Sequence, residues 1–495
     1  MPLLSRVVTA VTLLGAGPLV AQSSPYVPLD DPHRPAFEHL VSRGEIEDPS
    51  PQRRPFRRRD ALEALDSAAA RGSLRDGALA AMLRAAWRED TAEARWEVAL
   101  EGGGQGYTEA RRGALHPAGP DGVRPYAEVR LQASYGPLVV VTRPAIEPRL
   151  AKDPDWTGRR DLRVTGRYPD AYLSAQFKYA RLFYGQMEQN WGPGIFPGVG
   201  LSDAGYPIPT LGVEIGTRRL RLTAQAATLE DAVDSAGQAI NRYFFHHRVS
   251  AAVTRRLELA LWETTVLAGP GRSFSDRYRN PVTLLLLANQ YGLGADGNIL
   301  VGADLTWRVG RGRLLLQLGV DDFQYDPGRI PNRYAFTVQA EGPLGRRLAW
   351  RAGYSQASSL AFRTTRPFEG FTEEGVGIGR NYADNDQVTL LLSAPVARGW
   401  LIAPELTLLR QGEGRLTDSL PSGAALADTP TLFIGTIERT WRAALGLSGQ
   451  QGPLSIRLNA GVHRRQNADH VAGRSRTEFV GRIQATLGAG WTGRF

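Results

Sequence analysis

The 495-residue sequence predicts an all-β transmembrane antiparallel β-barrel of about 18 strands, preceded by a small N-terminal α-helical bundle. Three observations predict it. From Trp96 onward, apolar and polar residues alternate with a period of two, the signature of strands with one face in hydrocarbon and the other in a polar interior. Short Gly/Pro-rich turns alternate with much longer connections. The chain ends on an aromatic residue, Phe495, that closes the last alternating run.

The first 22 residues read as a cleavable signal peptide. Arg6 supplies the positive start, Val7–Ala21 is apolar but broken by Gly15, Gly17 and Pro18, and small residues end it; the run is too short to span a bilayer well. Residues 23–95 differ from the rest and show helical spacing. Pro35 opens a first helix with Phe37, Leu40 and Val41 on one face and Gly44 as its stop. A second is expected from Asp60 as N-cap, with Ala61, Leu62, Ala64 and Leu65 as its apolar side, and a third from Ser73 to Ala94 carrying Leu79, Met82 and Leu83. Helices this short must bury their faces against one another or a larger partner. The run Arg53, Arg54, Arg57, Arg58, Arg59 before the second helix reads as a solvated linker.

Residues 96–495 form the barrel. Ile483, Ala485, Leu487, Ala489, Trp491, Gly493 and Phe495 occupy one face of the last strand. The same pattern recurs at Ala127–Tyr135, Leu173–Tyr179, Leu220–Ala226, Val301–Val309 and Leu454–Ala460. Short turns are expected at Gly119–Gly122, Gly342–Gly345 and Gly449–Pro453, and long loops at 144–161, 186–211, 269–281, 362–386 and 411–431. About 400 residues at ~20–24 per strand and connection give roughly 16 to 18 strands, and bacterial barrels take an even number. The longest apolar runs, such as Thr283–Ala288, fall far below the ~18 residues of a membrane helix.

The composition narrows the function. The chain has no Cys and a net charge of +9, and its basic residues are spread along the whole length, which argues against nucleic acid. No cofactor or metal is expected. His246 and His247 are adjacent, so on a strand they face opposite sides and cannot chelate together. No G-x-S-x-G elbow appears, and His247 and Ser250 fall on opposite faces. Asp304, Asp321 and Asp322 are read as lumen partners of Arg219, Arg221, Arg308 and Arg457 rather than a hydrolytic pair. Catalytic residues are therefore expected to be none. Two loop segments suit sugar hydroxyls: Asn190 with Trp191, whose ring can stack on a sugar face or equally anchor a folded-in loop, and Arg380, Asn381, Tyr382 and Asp384, which are also ordinary loop composition.

Four segments together resemble the capsule assembly protein Wzi family. They are Tyr26–Asp31 with Phe37–Gly44, then Asn190–Gly194 with Leu201–Ala204 and Pro207, then Phe245–Arg248, and finally Tyr278–Pro281 with Val320–Phe323. The resemblance covers the helical region and the first two thirds of the barrel. It implies a bacterial outer-membrane barrel of about eighteen strands with a helical bundle at its periplasmic mouth. It also implies a non-enzymatic lectin-like role in attaching or assembling surface or capsular polysaccharide. Expected partners are that polysaccharide, outer-membrane lipid, and the barrel assembly machinery through Phe495. The competing expectation is a porin-like channel for anionic or sugar solutes, favoured by an Arg-rich lumen.

Overall fold

The computed structural model describes residues 23–90, 92–274, 297–322, 331–397 and 399–495. The signal-peptide segment, Thr283–Ala288, Tyr278–Pro281 and Phe323 lie outside the described residues.

Among them, eighteen strands form one closed antiparallel barrel. In chain order these are β1 (Ala94–Tyr107), β2 (Val123–Tyr135), β3 (Leu138–Thr142, extended by Ala145–Ile146), β4 (Asp170–Gln176, preceded by Gly166–Arg167), β5 (Ala180–Met187) and β6 (Thr210–Gly216). Then come β7 (Leu220–Val233), β8 (Ala239–Ala252), β9 (Leu257–Pro270), β10 (Asn298–Val309), β11 (Gly312–Asp322) and β12 (Arg333–Leu344). The last six are β13 (Leu348–Ala357), β14 (Asn385–Ala397), β15 (Trp400–Gln411), β16 (Glu438–Gln451), β17 (Leu454–Gln466) and β18 (Ser475–Arg494). Each strand pairs with the next, and β1 pairs with β18 from Arg95↔Arg494 to Tyr107↔Arg482, so no edge is left open.

The predicted alternation sets which way each side chain points. Outward positions stay exposed although apolar: Leu261 is 69% accessible and Leu487 62%. A water-facing surface does not carry so continuous an apolar belt, so these residues face lipid. Exposed aromatics flank the belt at both ends, with Tyr135, Tyr179, Trp307 and Trp491 near the short turns and Tyr184, Trp441 and Phe479 near the long loops, the two interfacial girdles of a membrane barrel.

One expected turn is relocated. Gly119–Gly122 belongs to the long connection between β1 and β2, 108–122. Strand parity decides this: β1 starts at the short-turn end, so its far end is a loop end, whatever its Gly and Pro content.

The helices are α1 (Arg34–Ser42), α2 (Arg58–Ala70) and α3 (Gly77–Ala86). Gly44 ends α1 at φ 64°, and a Cβ there would lie 2.2 Å from the Arg311 carbonyl oxygen, so only glycine fits. Asp60 is not the N-cap of α2; Arg57 is, and Asp60 instead pairs with the Arg57 guanidinium at 2.6 Å. α3 begins later than Ser73 predicts because Ser73 Oγ donates to the Glu45 carbonyl at 2.7 Å. Asp76 takes over as cap, accepting from Leu79 N–H at 2.9 Å. Phe37, Phe56 and Trp87 pack at the centre of the bundle, with ring centroids 4.8 and 5.5 Å from Phe37.

The bundle closes the short-turn end of the lumen. The Arg43 guanidinium donates to the carbonyls of Leu348 and Arg346 at 2.8 and 2.7 Å. Above it, the Arg53–Arg59 run is no linker. Arg54 and Arg58 are buried, and their charges are matched by Glu38, Asp48 and Glu97. Asp30 reaches the wall through Arg143 at 3.0 Å, and Arg143 also binds Glu128 at 2.8 Å and Asp170 at 2.6 Å.

A sealed lumen and a loop-end cavity

The lumen is filled from the other end as well. The connections 188–209, 358–384 and 412–437 fold inward and bury Trp191, Val199, Leu201, Phe362, Ile378 and Leu416 against inward residues such as Phe244 and Trp262. The inner face is therefore not an aqueous lining, as its polar residues suggested. The two fillings meet: Arg54 N–H donates to the Asn190 carbonyl at 2.8 Å and Asn190 N–H to that of Arg54 at 3.0 Å. The Arg53 guanidinium sits 4.6 Å over the Trp191 ring.

The expected lumen ion pairs are redistributed. Asp304 binds Arg248 at 2.8 Å and accepts from Trp262 Nε1 at 2.9 Å. Arg221 pairs with Glu214, Arg308 with Glu47 and Arg457 with Asp30. Arg219 is exposed beside the β6–β7 turn and lines no lumen. Asp321 lies 3.3 Å from Arg333 and accepts from Phe362 N–H at 3.1 Å; the side chain of Asp322 is outside the description. Cations matched in this way offer little free charge to a passing anion.

His246 and His247 do face opposite sides. His246 Nδ1 is 2.7 Å from Thr264 Oγ1 inside the wall, and His247 Nδ1 is 3.0 Å from Glu263 on the outer face. Among the described residues no cluster of three His, Cys, Asp or Glu is arranged to hold a metal ion.

The six sugar-candidate residues sit in two loops that abut. Ser202 N–H donates to the Ile378 carbonyl at 2.9 Å, and Ser202 Oγ donates to that of Gly379. Asn190 spends its side chain on its own loop, accepting from Gly198 N–H at 2.8 Å and donating to the Phe196 carbonyl at 3.2 Å. Trp191 is 4% exposed, and its ring meets that of His246 nearly at right angles with centroids 4.8 Å apart. Arg380 donates to Thr337 Oγ1, and burial lowers its pKa. Asn381 Oδ1 accepts from Gly377 N–H at 3.0 Å. The Tyr382 ring stacks on His116 at 3.6 Å, and its hydroxyl accepts from Arg111 at 2.7 Å. Asp384 is fully buried and accepts from the N–H groups of Phe433, Ile434 and Gly414 at 2.6, 2.9 and 3.0 Å. Trp191 and Asp384 thus turn inward, and Asn381 and Tyr382 remain half-exposed.

Beside them lies a cavity of about 390 Å³ among the loop ends. Leu201, Ile208, Phe244 and Ile378 form its apolar wall, and carboxylates from three segments ring it. Two exposed members, Glu230 and Glu374, stand where it meets solvent. Its volume suits one or two sugar units, and its mix of apolar wall and hydrogen-bond acceptors suits their two-faced chemistry. Sequence reading missed this site; the one local signal was the Glu373-Glu374 doublet in a Gly-rich loop.

Comparison with known proteins adds the following. The capsule assembly protein Wzi family matches residues 120–338. Among solved structures, Wzi of Escherichia coli, described as an outer membrane protein involved in group 1 capsule assembly and a carbohydrate-binding β-barrel, superposes with a TM-score of 0.63 at 16% identity, covering 94% of this chain and 99% of that one. Acinetobacter baumannii OccAB1 gives 0.46 at 10% identity over 81% of this chain and 98% of its own. Pseudomonas aeruginosa OprD gives 0.44 at 11%, over 80% and 95%. No curated protein matches.

Proposed function

From a barrel whose residues 120–338 match the capsule assembly protein Wzi family, we propose an outer-membrane protein that binds surface or capsular polysaccharide and assists its attachment or assembly at the cell surface, without catalysing a reaction. The observation that carries this reading is the doubly filled lumen. Among the described residues the lumen is occupied by the chain's own helices below and its own loops above, which leaves the loop-end surface and its cavity to act. The porin-like alternative needs the free passage that these layers occupy.

In this reading residues 1–22 direct export, residues 23–93 form the periplasmic plug, two residues shorter than the sequence boundary because β1 begins at Ala94, and the rest forms the barrel. Phe495, exposed at the end of β18, is the contact for the assembly machinery, and the apolar belt meets outer-membrane lipid. Asn381 and Tyr382 contribute to glycan contact from the cavity's flank. The test has two parts. Cells lacking the gene should shed more surface polysaccharide than wild type, and purified protein in detergent should retain polysaccharide extracted from the same cells. Unchanged retention on the cell together with no binding in vitro overturns the proposal.

A further inference from the structure

The cavity among the loop ends is lined by Glu188, Asp203, Glu230, Glu373 and Glu374 and, among the described residues, by no Lys or Arg. Cations stand behind only part of this charge. Arg112 and Arg167 reach Glu188 at 3.1 and 2.8 Å, and Arg242 lies 3.8 Å from Glu373. Asp203, Glu230 and Glu374 have no ion-pair partner among the described residues. A second feature points to a ligand independently of the acids. Thr210, at the start of β6, is 5% exposed and lines the same cavity, and its hydroxyl finds no hydrogen-bond partner among the described residues. A buried hydroxyl without a partner costs free energy, and a ligand hydroxyl or amine in the cavity would satisfy it.

Resting on the polysaccharide-binding reading above, we infer that this cavity is a glycan subsite that prefers an amine-bearing sugar unit, admits a neutral one, and rejects a uronate. A carboxylate brought among three unmatched carboxylates is repelled, whereas an ammonium is attracted and can share its three donors among them. Sugar hydroxyls gain from the same acceptors, only less. Burial lifts the Glu373 carboxyl to about 7, and burial, then the charge of Glu230, raises Glu374.

The experiment is calorimetric titration of the purified full chain in detergent with three hexamers: glucosamine, glucose and galacturonate. The glucosamine hexamer should bind about tenfold more tightly than the glucose hexamer, and the galacturonate hexamer should bind weakest. The Glu230→Gln, Glu374→Gln double variant should compress that order. Thr210→Val, which leaves the surface charge untouched, should weaken the glucosamine and glucose hexamers severalfold and so separates the cavity from a merely acidic surface. Galacturonate binding as tightly as glucosamine, an unaltered Thr210→Val isotherm, or no binding of any hexamer each overturns this inference. The polysaccharide-binding reading is decided separately, by retention of the cell's own polysaccharide.

Discussion

Replacing Arg54 with Met should loosen the plug. Arg54 donates to Glu38 at 2.7 and 3.1 Å and to Asp48 at 2.9 and 3.2 Å. Both carboxylates are buried. Burial alone would raise their pKa values, but Arg54, with Arg313 beside Asp48, holds both below the ordinary carboxylate range. Asp48 would keep Arg313 at 2.6 Å, whereas Glu38 would lose its only ion-pair partner among the described residues. Breaking a buried pair from one side costs about 3–5 kcal/mol, and the surviving Arg313 contact places this change near 3. At 1.4 kcal/mol per tenfold, the undocked population rises roughly 100-fold. Hydrogen–deuterium exchange of the α1 amides in detergent or nanodiscs reads this directly, provided exchange follows the open population. Adding Glu38→Gln to the variant removes the stranded charge and should recover much of the protection. Exchange within about threefold of wild type in Arg54→Met, or no recovery with Glu38→Gln, would refute the assignment of Arg54 as the electrostatic hub.

Three further outcomes are expected. His39 Nδ1 sits 2.8 Å from Ser393 Oγ, and burial, then Arg43, lowers its pKa to about 4. The docked imidazole thus resists a proton that the free one takes at about 6.5; docking is strongest above pH 6.5, weakens as pH falls towards 4 by up to about 3 kcal/mol, and levels off below. Protease sensitivity of α1 that stays flat between pH 7 and 4.5 contradicts this. Asp384→Ala leaves three backbone N–H donors without their acceptor, at about 1–3 kcal/mol each, and should speed tryptic cleavage at Arg415; wild-type cleavage kinetics would count against it. Finally, purified protein in planar bilayers should show no steady current, and Trp191→Ala alone should not open it because the plug remains below. A stable anion conductance in wild type would revive the channel reading.

The barrel was legible because membrane strands encode their orientation in a single alternation, and one face must be apolar. That rule carries no information about what the other face meets. Asp304 read as a lumen partner of Arg219, Arg221, Arg308 and Arg457, yet it meets Arg248 and Trp262, on strands that only the closed barrel brings beside it. The Arg53–Arg59 run misled for the same reason: a basic cluster on its own looks solvated, and only the folded chain brings Glu38, Asp48 and Glu97 to it. The Asn190–Trp191 segment was recognisable as special, but not its direction. Its side chains turn into the lumen because Asn190 closes its own loop and Trp191 can bury its ring against His246 and under Arg53. The carboxylate cavity draws on segments 188–210, 228–230 and 373–378, a convergence without local sequence spacing.

On the proposed reading, the two fillings of the lumen also account for a loop surface firm enough to recognise a polymer. Long loops on a hollow barrel would have to pay their ordering entropy at each binding event. Here the loops are anchored before any ligand arrives. Gln317 of β11 donates to the Trp191 carbonyl at 2.8 Å, and Val199 N–H donates to the Gln317 side chain at 2.8 Å. Gly198 permits the tight return, since a Cβ there would lie 2.3 Å from the Trp191 carbonyl oxygen. The plug supports this anchor from below through the backbone pair between Arg54 and Asn190. The contacts that fill the lumen are therefore the same ones that hold the cavity walls in place.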